Sequence, residues 1–472
     1  MSRPGPTPEQ SRRALVAAAE WAATYLEHPE RFPVLSQVRP GDIASGLPET
    51  APERGEALDA LLGDVDALLL PGITHWNHPR FFAYFGITGS APGVMGDIVA
   101  AALNVNAMLW RTSPAATELE QRTLRWVADM LGLPTCWFGE ILDTASTSTV
   151  YALAAAREAA GLDIRERGMA GRSDLPPLAI YTSAEAHSSV DKGAIALGIG
   201  RRHTRRIETD DRFRMRPDRL AKAIEEDIAQ GIRPIAVVAT TGTTSTTSVD
   251  PVANIASICE EHGVWLHVDA AYGGSAAVSP SLRWVLDGCE RADSLVVNPH
   301  KWMLTPIDCS LLYTRRPDAL KQAFSLVADY LKTDDGDVVN LMDYGLALGR
   351  RFRALKLWFV IRAFGRRGLA EVIEGHVALA RHLAKRIDAS KDWERMAPAP
   401  LSTVCFRHLS ESGDIDAHNR MIVDRVNATG EVFVSSTTLH GRYAIRVAIG
   451  NLASEQRHVD RAWELLQRAA HA

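Results

Sequence analysis

Short apolar runs that alternate with helical patterns constrain the fold of this chain more than any other feature. The β-branched run Ile235–Ala239 (IAVVA) is followed by a helical pattern from about Pro251 to His262, which Gly263 closes. The apolar run Val264–Val268 comes next, and Leu295–Val297 follows further along the chain. Strands separated by helices predict βαβ units and a mostly parallel sheet with helices on both faces. The expected fold class is therefore α/β.

The length and the changes of pattern divide the chain into three expected parts. A chain of 472 residues is too long for one simple core. We expect a helical N-terminal arm over 1–90, a large α/β domain over 91–358 and a small α+β domain over 359–472. The aromatic segment Ile73–Phe85 (ITHWNHPRFFAYF) is too short to fold alone. We therefore expect it to pack on another subunit.

Composition excludes several classes of function. The net charge is −5, so no overall basic field attracts nucleic acid or an anionic membrane. No apolar run approaches the roughly 20 residues that a membrane-spanning helix needs. The five cysteines are scattered without a CxxC pair, and no spacing typical of metal ligands is present. We expect a cytoplasmic protein with reduced thiols and no metal, nucleic-acid or membrane partner.

Four polar residues follow the ends of predicted strands. His187, Thr244, Asp269 and Lys301 each come shortly after a separate apolar run. The carboxyl ends of strands in an open α/β sheet line one crevice. These four residues are therefore expected to meet at one site.

Lys301 and Asp269 have the chemistry of a cofactor site. Lys301, in Asn298–Trp302 (NPHKW), is expected to be partly desolvated, which lowers its pKa and favours Schiff-base chemistry. Asp269 ends an apolar strand and needs a cationic partner, such as a pyridinium nitrogen. The small Ala271 beside it would let a flat ring approach. A surface lysine and a structural ion pair or helix cap are the alternatives for the two residues.

Two further features fit a flat, phosphorylated ligand. The imidazole of His187 could stack on a ring, although a histidine satisfied within the core is the simpler interpretation. The hydroxyl-rich segment Thr144–Thr149 opens a helix, Val150–Glu158, whose first N–H groups could bind phosphate. Hydroxyl-rich helix starts are common, so this segment alone is a weak signal.

Five runs together resemble one enzyme family. They are His267–Tyr272, Asn298–Trp302, Ala186–Ser189, Thr112–Glu120 (TSPAATELE) and Gly349–Trp358 (GRRFRALKLW). The chain resembles the aromatic-L-amino-acid decarboxylases, which are group II pyridoxal-phosphate-dependent decarboxylases of fold-type I. The resemblance extends from about residue 71 to residue 463. It implies a homodimer with the active site at the interface and the N-terminal arm wrapped around the partner.

The resemblance assigns the cofactor, pyridoxal 5'-phosphate, to specific residues. It implies that Lys301 binds the cofactor covalently, that Asp269 pairs with the pyridine nitrogen and that His187 stacks on the ring. The other expected cofactor contacts are Ala145, Ser146, Thr244, Ala271, Asn298 and His300. The phosphate segment departs from the family's usual Gly-Ser-Ala-Ser, because it reads Asp143-Thr144-Ala145-Ser146. The Asp143 side chain is therefore expected to turn away from the phosphate.

The expected reaction is decarboxylation of an aromatic L-amino acid to the arylamine and CO2. The expected substrate contacts are Trp76, Phe85, Ile87, Thr88, Asn106, Met108 and Gly349. In plant relatives a glycine at the position of Gly349 accompanies indolic substrates, which favours tryptophan over tyrosine, DOPA or phenylalanine. Polar Asn106 weakens this preference, since its amide could serve a ring hydroxyl.

Tyr330 is the expected proton donor to the former α-carbon. It precedes the polar stretch Thr333–Asp337, which we expect to form a lid that excludes water. One alternative is oxidative decarboxylation–deamination to an aldehyde, which in this family accompanies Phe at the position of Tyr330 or Asn at that of His187. Another is a catalytically silent binding protein of the same fold. A third, glutamate decarboxylation, is disfavoured by the aromatic segment Ile73–Phe85.

Overall fold

The computed structural model describes residues 5–326, 338–410 and 413–471. The α-helices of these ranges are α1 (Pro8–Glu27), α2 (Asp42–Gly46), α3 (Leu58–Asp64), α4 (Ala91–Leu103), α5 (Pro114–Leu131), α6 (Ala145–Ala159), α7 (Ile164–Arg167), α8 (Ser189–Ala196), α9 (Pro217–Ala229), α10 (Val252–His262), α11 (Pro299–Trp302), α12 (Pro317–Phe324), α13 (Ala354–Asp388), α14 (Ile415–Ala428) and α15 (Gln456–His471). The strands are β1 (Phe81–Phe82), β2 (Phe138–Leu142), β3 (Leu178–Ser183), β4 (Thr204–Ile207), β5 (Arg233–Thr240), β6 (Trp265–Asp269), β7 (Ser294–Val297), β8 (Ser310–Thr314), β9 (Trp393–Arg395), β10 (Thr403–His408), β11 (Phe433–Leu439) and β12 (Arg442–Ala448).

A seven-stranded sheet forms the centre of the molecule. Its strand order is β2-β8-β7-β6-β5-β3-β4. Strands β7, β6, β5, β3 and β4 are parallel to one another, and β8 is antiparallel to both β2 and β7. The predicted runs lie in β5, β6 and β7, which confirms the α/β class. The sequence interpretation had not identified the antiparallel strand β8.

Both faces of this sheet are buried because successive residues of a strand point to opposite sides. Val237 and Ala239 of β5 belong to one apolar cluster, while Ala236 and Val238 belong to another. Helix α6 packs over the sheet on the side of the second cluster. This double burial fixes the register of each strand and therefore the positions of the residues that follow the strand ends.

A five-stranded sheet, β1-β11-β12-β10-β9, forms the small C-terminal part. Its edge strand β1 comes from the N-terminal aromatic segment, with Phe81 paired to Phe433 in parallel register. Part of the segment that we expected to pack on another subunit is therefore buried within its own chain. Helix α13 runs past residue 358 and departs from helical backbone at Gly365 (φ 63°, ψ 175°). The three-part division stays a prediction.

The first helix has little contact with the rest of its chain. No residue of α1 is buried, and Leu15 is 70% exposed. The C-terminal half of α1 is bonded to the rest of the chain at two points. The Trp21 indole donates to Asp66, and the Tyr25 hydroxyl lies 2.8 Å from His75 Nδ1. None of the helices in the described ranges has an apolar stretch long enough to cross a bilayer.

A buried ion cluster joins the central sheet to the segment before α5. Arg350 Nη2 lies 2.8 Å from Glu120 Oε1 and 3.5 Å from Glu140 Oε1. Burial raises the pKa of Glu140 to about 7, an effect that Arg350 opposes and the Glu120 carboxylate reinforces. Arg350 also donates to the carbonyl oxygen of Ala107. The Arg350 guanidinium thus interacts with two buried carboxylates and with the loop that contains Ala107.

Replacing Arg350 with alanine is expected to destabilise the fold strongly, because two buried carboxylates would lose their cation. Removing one partner of a buried ion pair costs about 3–5 kcal/mol. Urea unfolding and Tm would measure the change. Arg351→Ala, at the exposed neighbouring position, is the matched control and should leave stability nearly unaltered. Equal losses in the two variants would contradict this role of Arg350.

Candidate active site

The predicted crevice is present at the carboxyl ends of β3, β5, β6 and β7. A cavity of about 190 Å³ opens there. It is lined by Phe85, Thr144, Ala145, Ser146, His187, Thr240, Gly242, Thr244, Asp269, Ala271, Tyr272, Asn298, His300 and Lys301. All nine residues expected to contact the cofactor are among them. The segments that follow four separate strands are thus brought to one place.

Lys301 lies in the short helix α11, which begins directly after β7. Its backbone N–H donates to the Asn298 carbonyl at 3.0 Å, and its Nζ lies 5.5 Å from the centre of the Phe85 ring. Burial lowers the pKa of Lys301; Asp269 opposes this effect and Arg446 adds to it. Within the described ranges Nζ makes no hydrogen bond. The lowered pKa increases the fraction of uncharged, nucleophilic amine.

Asp269 is a buried carboxylate without an ion-pair partner in the part of the chain that the structure describes. It ends β6 and is 6% exposed. Its Oδ1 accepts the Ala271 N–H at 3.1 Å. A buried carboxylate is costly unless a cation compensates it. The missing cation is what a protonated pyridine nitrogen would supply.

The two histidines of the cavity are held in defined tautomers. His187 Nδ1 accepts the Ser189 N–H at 3.1 Å, and His300 Nδ1 accepts the Cys309 N–H at 3.0 Å. Burial lowers the pKa of His187 and lowers that of His300 to about 4. Both imidazoles are therefore neutral near pH 7, with the proton on Nε2. A neutral His187 suits stacking on a flat ring.

The helix α6 offers an anion site at the cavity. It begins at Ala145, five residues before the predicted start, and the Thr144 side chain caps none of its N–H groups. Free N–H groups in the first turn of a helix bind phosphate. The Asp143 carboxylate accepts the Thr144 N–H at 2.6 Å and does not line the cavity. The orientation of Asp143 relative to a bound phosphate stays a prediction.

An unsatisfied polar atom also indicates a missing ligand. The buried Thr240 Oγ1, which lines the cavity, has no hydrogen-bond partner. Buried polar groups normally have one, so an unpaired hydroxyl inside a cavity fits a polar ligand. Together with Lys301, Asp269 and the start of α6, this hydroxyl fits pyridoxal phosphate.

The expected substrate residues separate into two groups. Trp76, Phe85 and Ile87 line a second cavity that shares Phe85, His187, Thr244 and Lys301 with the first. Thr88 is buried and donates to the Gly450 carbonyl at 3.0 Å, so it anchors this segment without lining either cavity.

The other three expected substrate residues lie away from both cavities in this chain. Asn106 Oδ1 accepts the Arg350 N–H at 2.9 Å, which places it beside Gly349. Met108 packs against Leu109 and Met342. Tyr330 and the stretch Thr333–Asp337 lie outside the described residues.

Arg446 is the main cavity residue that sequence reasoning missed. It lines the second cavity, and its guanidinium lies 4.8 Å from the Phe85 ring centre. It donates to the carbonyl oxygens of Ser245 and Tyr84. Its Nη2 has no partner, although the residue is only 3% exposed. The sequence could have indicated this residue, because Arg446 is a charged residue within the otherwise apolar run Ala444–Ala448, which the structure shows to be buried.

An aromatic stack connects the two cavities to the C-terminal part. Phe85 and Tyr272 have ring centres 3.7 Å apart, and Tyr272 and Trp302 have ring centres 4.5 Å apart with parallel planes. The Tyr272 hydroxyl is hydrogen-bonded to Ser402, which precedes β10. This aromatic stack forms the floor of the site. It is held by residues that follow strands of the seven-stranded sheet and by Ser402 of the C-terminal part.

Comparison with known proteins gives consistent matches over the whole chain. The pyridoxal-dependent decarboxylase conserved domain matches residues 40–409. Tyrosine decarboxylase 3 of Petroselinum crispum is 39% identical over 98% of this chain and 92% of its own length. Phenylacetaldehyde synthase of Arabidopsis thaliana is also 39% identical, over 98% and 96% of the two chains. The crystal structure of Oryza sativa TDC with PLP and tryptamine superposes with a TM-score of 0.95, at 36% identity, covering 100% of this chain and 99% of that one.

Proposed function

The chain belongs to the pyridoxal-dependent decarboxylase family, and we propose that Lys301 carries its cofactor while it removes CO2 from an aromatic L-amino acid. The protein is a pyridoxal-phosphate-dependent carboxy-lyase. The observation that supports these residue roles is one cavity that holds Lys301 with a lowered pKa, the unpaired Asp269 and the neutral His187.

Each of these residues has a distinct task in the proposed mechanism. Pyridoxal phosphate, when bound, supplies the electron sink for the pair of electrons that CO2 leaves behind. Asp269 would keep a proton on the ring nitrogen by charge pairing, which favours that sink. Lys301 would supply the amine that holds the cofactor. His187 would cover one ring face, and the first turn of α6, with Ala145 and Ser146, would bind the phosphate.

Arg446 is proposed to bind the substrate carboxylate. It is a buried cation with one unpartnered N–H group and no acidic partner among the described residues. It shares its cavity with Lys301 and His187. A carboxylate there would satisfy the guanidinium and would be held until the carbon–carbon bond breaks.

Aromatic side chains support the substrate class. The rings of Trp76 and Tyr84 lie 5.9 Å apart beside Phe85 and Ile87 on the wall of the second cavity. The relatives are named for tyrosine and phenylacetaldehyde, and the rice structure holds tryptamine. Tryptophan is the preferred candidate, because in plant relatives a glycine at the position of Gly349 accompanies indolic substrates. Tyrosine, DOPA and phenylalanine are the other candidates.

A homodimer is proposed as the working assembly. The exposed face of α4 carries Met95, Ile98 and Leu103, each about half exposed, and α1 carries exposed Leu15. A second subunit would cover this apolar surface. Two neighbouring segments, one with Asn106 and Met108 and the other with Gly349, would then complete the partner's cavity.

Five free cysteines support the proposed cytoplasmic location.

Aldehyde formation is the second candidate, favoured by the similarity to phenylacetaldehyde synthase. In that reaction the substrate, O2 and water give aldehyde, CO2, ammonia and hydrogen peroxide. In the amine reaction a proton reaches the α-carbon before O2 does. We assign that proton to the phenol of Tyr330. The histidine at position 187 also favours the amine.

The assignment of Lys301 is tested by offering tryptophan, tyrosine, phenylalanine, DOPA and glutamate to the wild-type enzyme and to Lys301→Ala. The wild type is expected to release CO2 and amine from the aromatic substrates. Lys301→Ala is expected to lose turnover and the visible absorption of the bound cofactor, because its covalent link is gone. Lys222→Ala, at an exposed surface position, should behave as wild type. Normal turnover by Lys301→Ala would refute the assignment.

Arg446→Gln is expected to lower kcat/KM for the amino acid by about 10–100-fold, since a hydrogen bond to a charged group contributes about 1.5–3 kcal/mol. Inhibition by the product amine, which has no carboxylate, should change little. Arg442→Gln, at an exposed position of the same strand, is the matched control. Equal weakening of amine and amino acid would show that Arg446 shapes the cavity without binding the carboxylate.

Tyr330→Phe is expected to reduce amine formation steeply and to produce aldehyde, ammonia and peroxide in equal amounts in air. The change removes one oxygen atom and keeps the ring, so only the proton donor is lost. All four products would be measured with and without O2. Amine formation at the wild-type rate without peroxide would exclude Tyr330 as the donor.

A further inference from the structure

Three side chains that could bind a metal ion meet on the C-terminal part of the protein, outside the active-site cavity. Asp392, His408 and His471 place one oxygen and two nitrogen atoms within 4.8 Å of one another. We propose that they form a binding site for a divalent transition-metal ion of the zinc class. Imidazole and carboxylate groups are the ligands that such ions take.

The spacing of the donor atoms fits one ion. Asp392 Oδ2 lies 3.2 Å from His408 Nε2 and 3.5 Å from His471 Nε2. Ligand atoms about 2.0–2.1 Å from a tetrahedral ion are about 3.3 Å apart. The two separations from Asp392 approximate this value, and the two histidine nitrogens lie within 4.8 Å of each other. Three protein ligands leave a fourth position for water.

The inner part of the site is rigidly held by the fold. His408 ends β10, and its backbone N–H and C=O are both bonded to the Asn419 side chain, at 2.8 and 2.9 Å. The Leu409 N–H donates to the Asp392 carbonyl at 2.7 Å, which fixes Asp392 beside His408. Two ligands are therefore oriented by backbone contacts before any ion binds.

The outer part of the site is open to solvent. His471 ends α15 and its side chain is 65% exposed, while that of Asp392 is 43% exposed. Arg425 donates to the Ala469 carbonyl at 3.1 Å and thereby holds the end of α15 against α14. An ion can enter from this side without any rearrangement of the core.

A fourth residue, His418, orients the buried ligand. Its Nε2 lies 2.9 Å from His408 Nδ1. When His408 donates its Nδ1–H to His418, its Nε2 lone pair faces Asp392 and His471. A metal-bound histidine usually donates its other N–H to a fixed acceptor in this way. His418 is therefore a positioning residue and not a ligand.

The bound ion would connect three separate elements: the segment before β9, the end of β10 and the end of α15. None of the three ligands lines either cavity of the active site. The ion is thus expected to stabilise the C-terminal part and to leave decarboxylation unaffected. This separation also means that the proposal can fail without affecting the proposed function.

The test uses holoenzyme that has been treated with EDTA and dialysed. Calorimetric titration with ZnCl2 is expected to show one ion per chain, and Zn²⁺ is expected to raise Tm, because a ligand that binds only the folded state stabilises it. His471→Ala and Asp392→Asn should abolish both effects. His418→Ala should weaken binding by about 10–100-fold.

His382→Ala is the matched control. His382 forms a 2.8 Å pair with Asp460 on the same part of the protein, with one imidazole instead of two. This variant should bind zinc as wild type does. The proposal is overturned if the wild type binds no zinc, in which case the three groups form only a hydrogen-bonded cluster. It is equally overturned if His471→Ala and Asp392→Asn bind zinc as tightly as wild type, because the ion then lies elsewhere.

Discussion

The buried charge of Asp269 is the constraint on which the site depends. The carboxylate lies at the end of a fully buried strand and no cation in the described part of the chain forms an ion pair with it. Such a group is unfavourable in the isolated fold and favourable only beside a cationic ligand. The same burial lowers the pKa of Lys301. One desolvated space therefore contains both the amine that we propose holds the cofactor and the carboxylate that we propose pairs with its ring nitrogen.

The sheet makes this arrangement possible by being covered on both faces. Residues of β5 alternate between two apolar clusters, so a shift by one residue would place buried side chains on the wrong face. The register of β6 and β7 then fixes Asp269 and Lys301. The antiparallel strand β8 supports them from behind, since Cys309, just before it, binds His300 through its N–H.

The sequence predicted which residues line the cavity, because most of them follow recognisable strands, while their contacts with the cofactor stay a prediction. Nine expected contacts line one cavity, and the parallel core of the sheet followed from the apolar runs. Other features depend on contacts between distant segments, which no local pattern encodes. Strand β1, only two residues long, is defined by pairing with Phe433. His408 and His471 are 63 residues apart in number, so no ligand spacing indicated that they meet.

Arg446 shows where local pattern and chemistry must be combined. A charged residue inside the buried run Ala444–Ala448 has to find polar partners, and it finds carbonyl oxygens from the Tyr84 and Ser245 segments. It therefore connects the C-terminal sheet to the aromatic wall and to the cavity edge. Arg446 is a buried cation without an acidic partner among the described residues, and this suits a ligand that carries a carboxylate. The aromatic stack of Phe85, Tyr272 and Trp302 holds the floor of the same space in place.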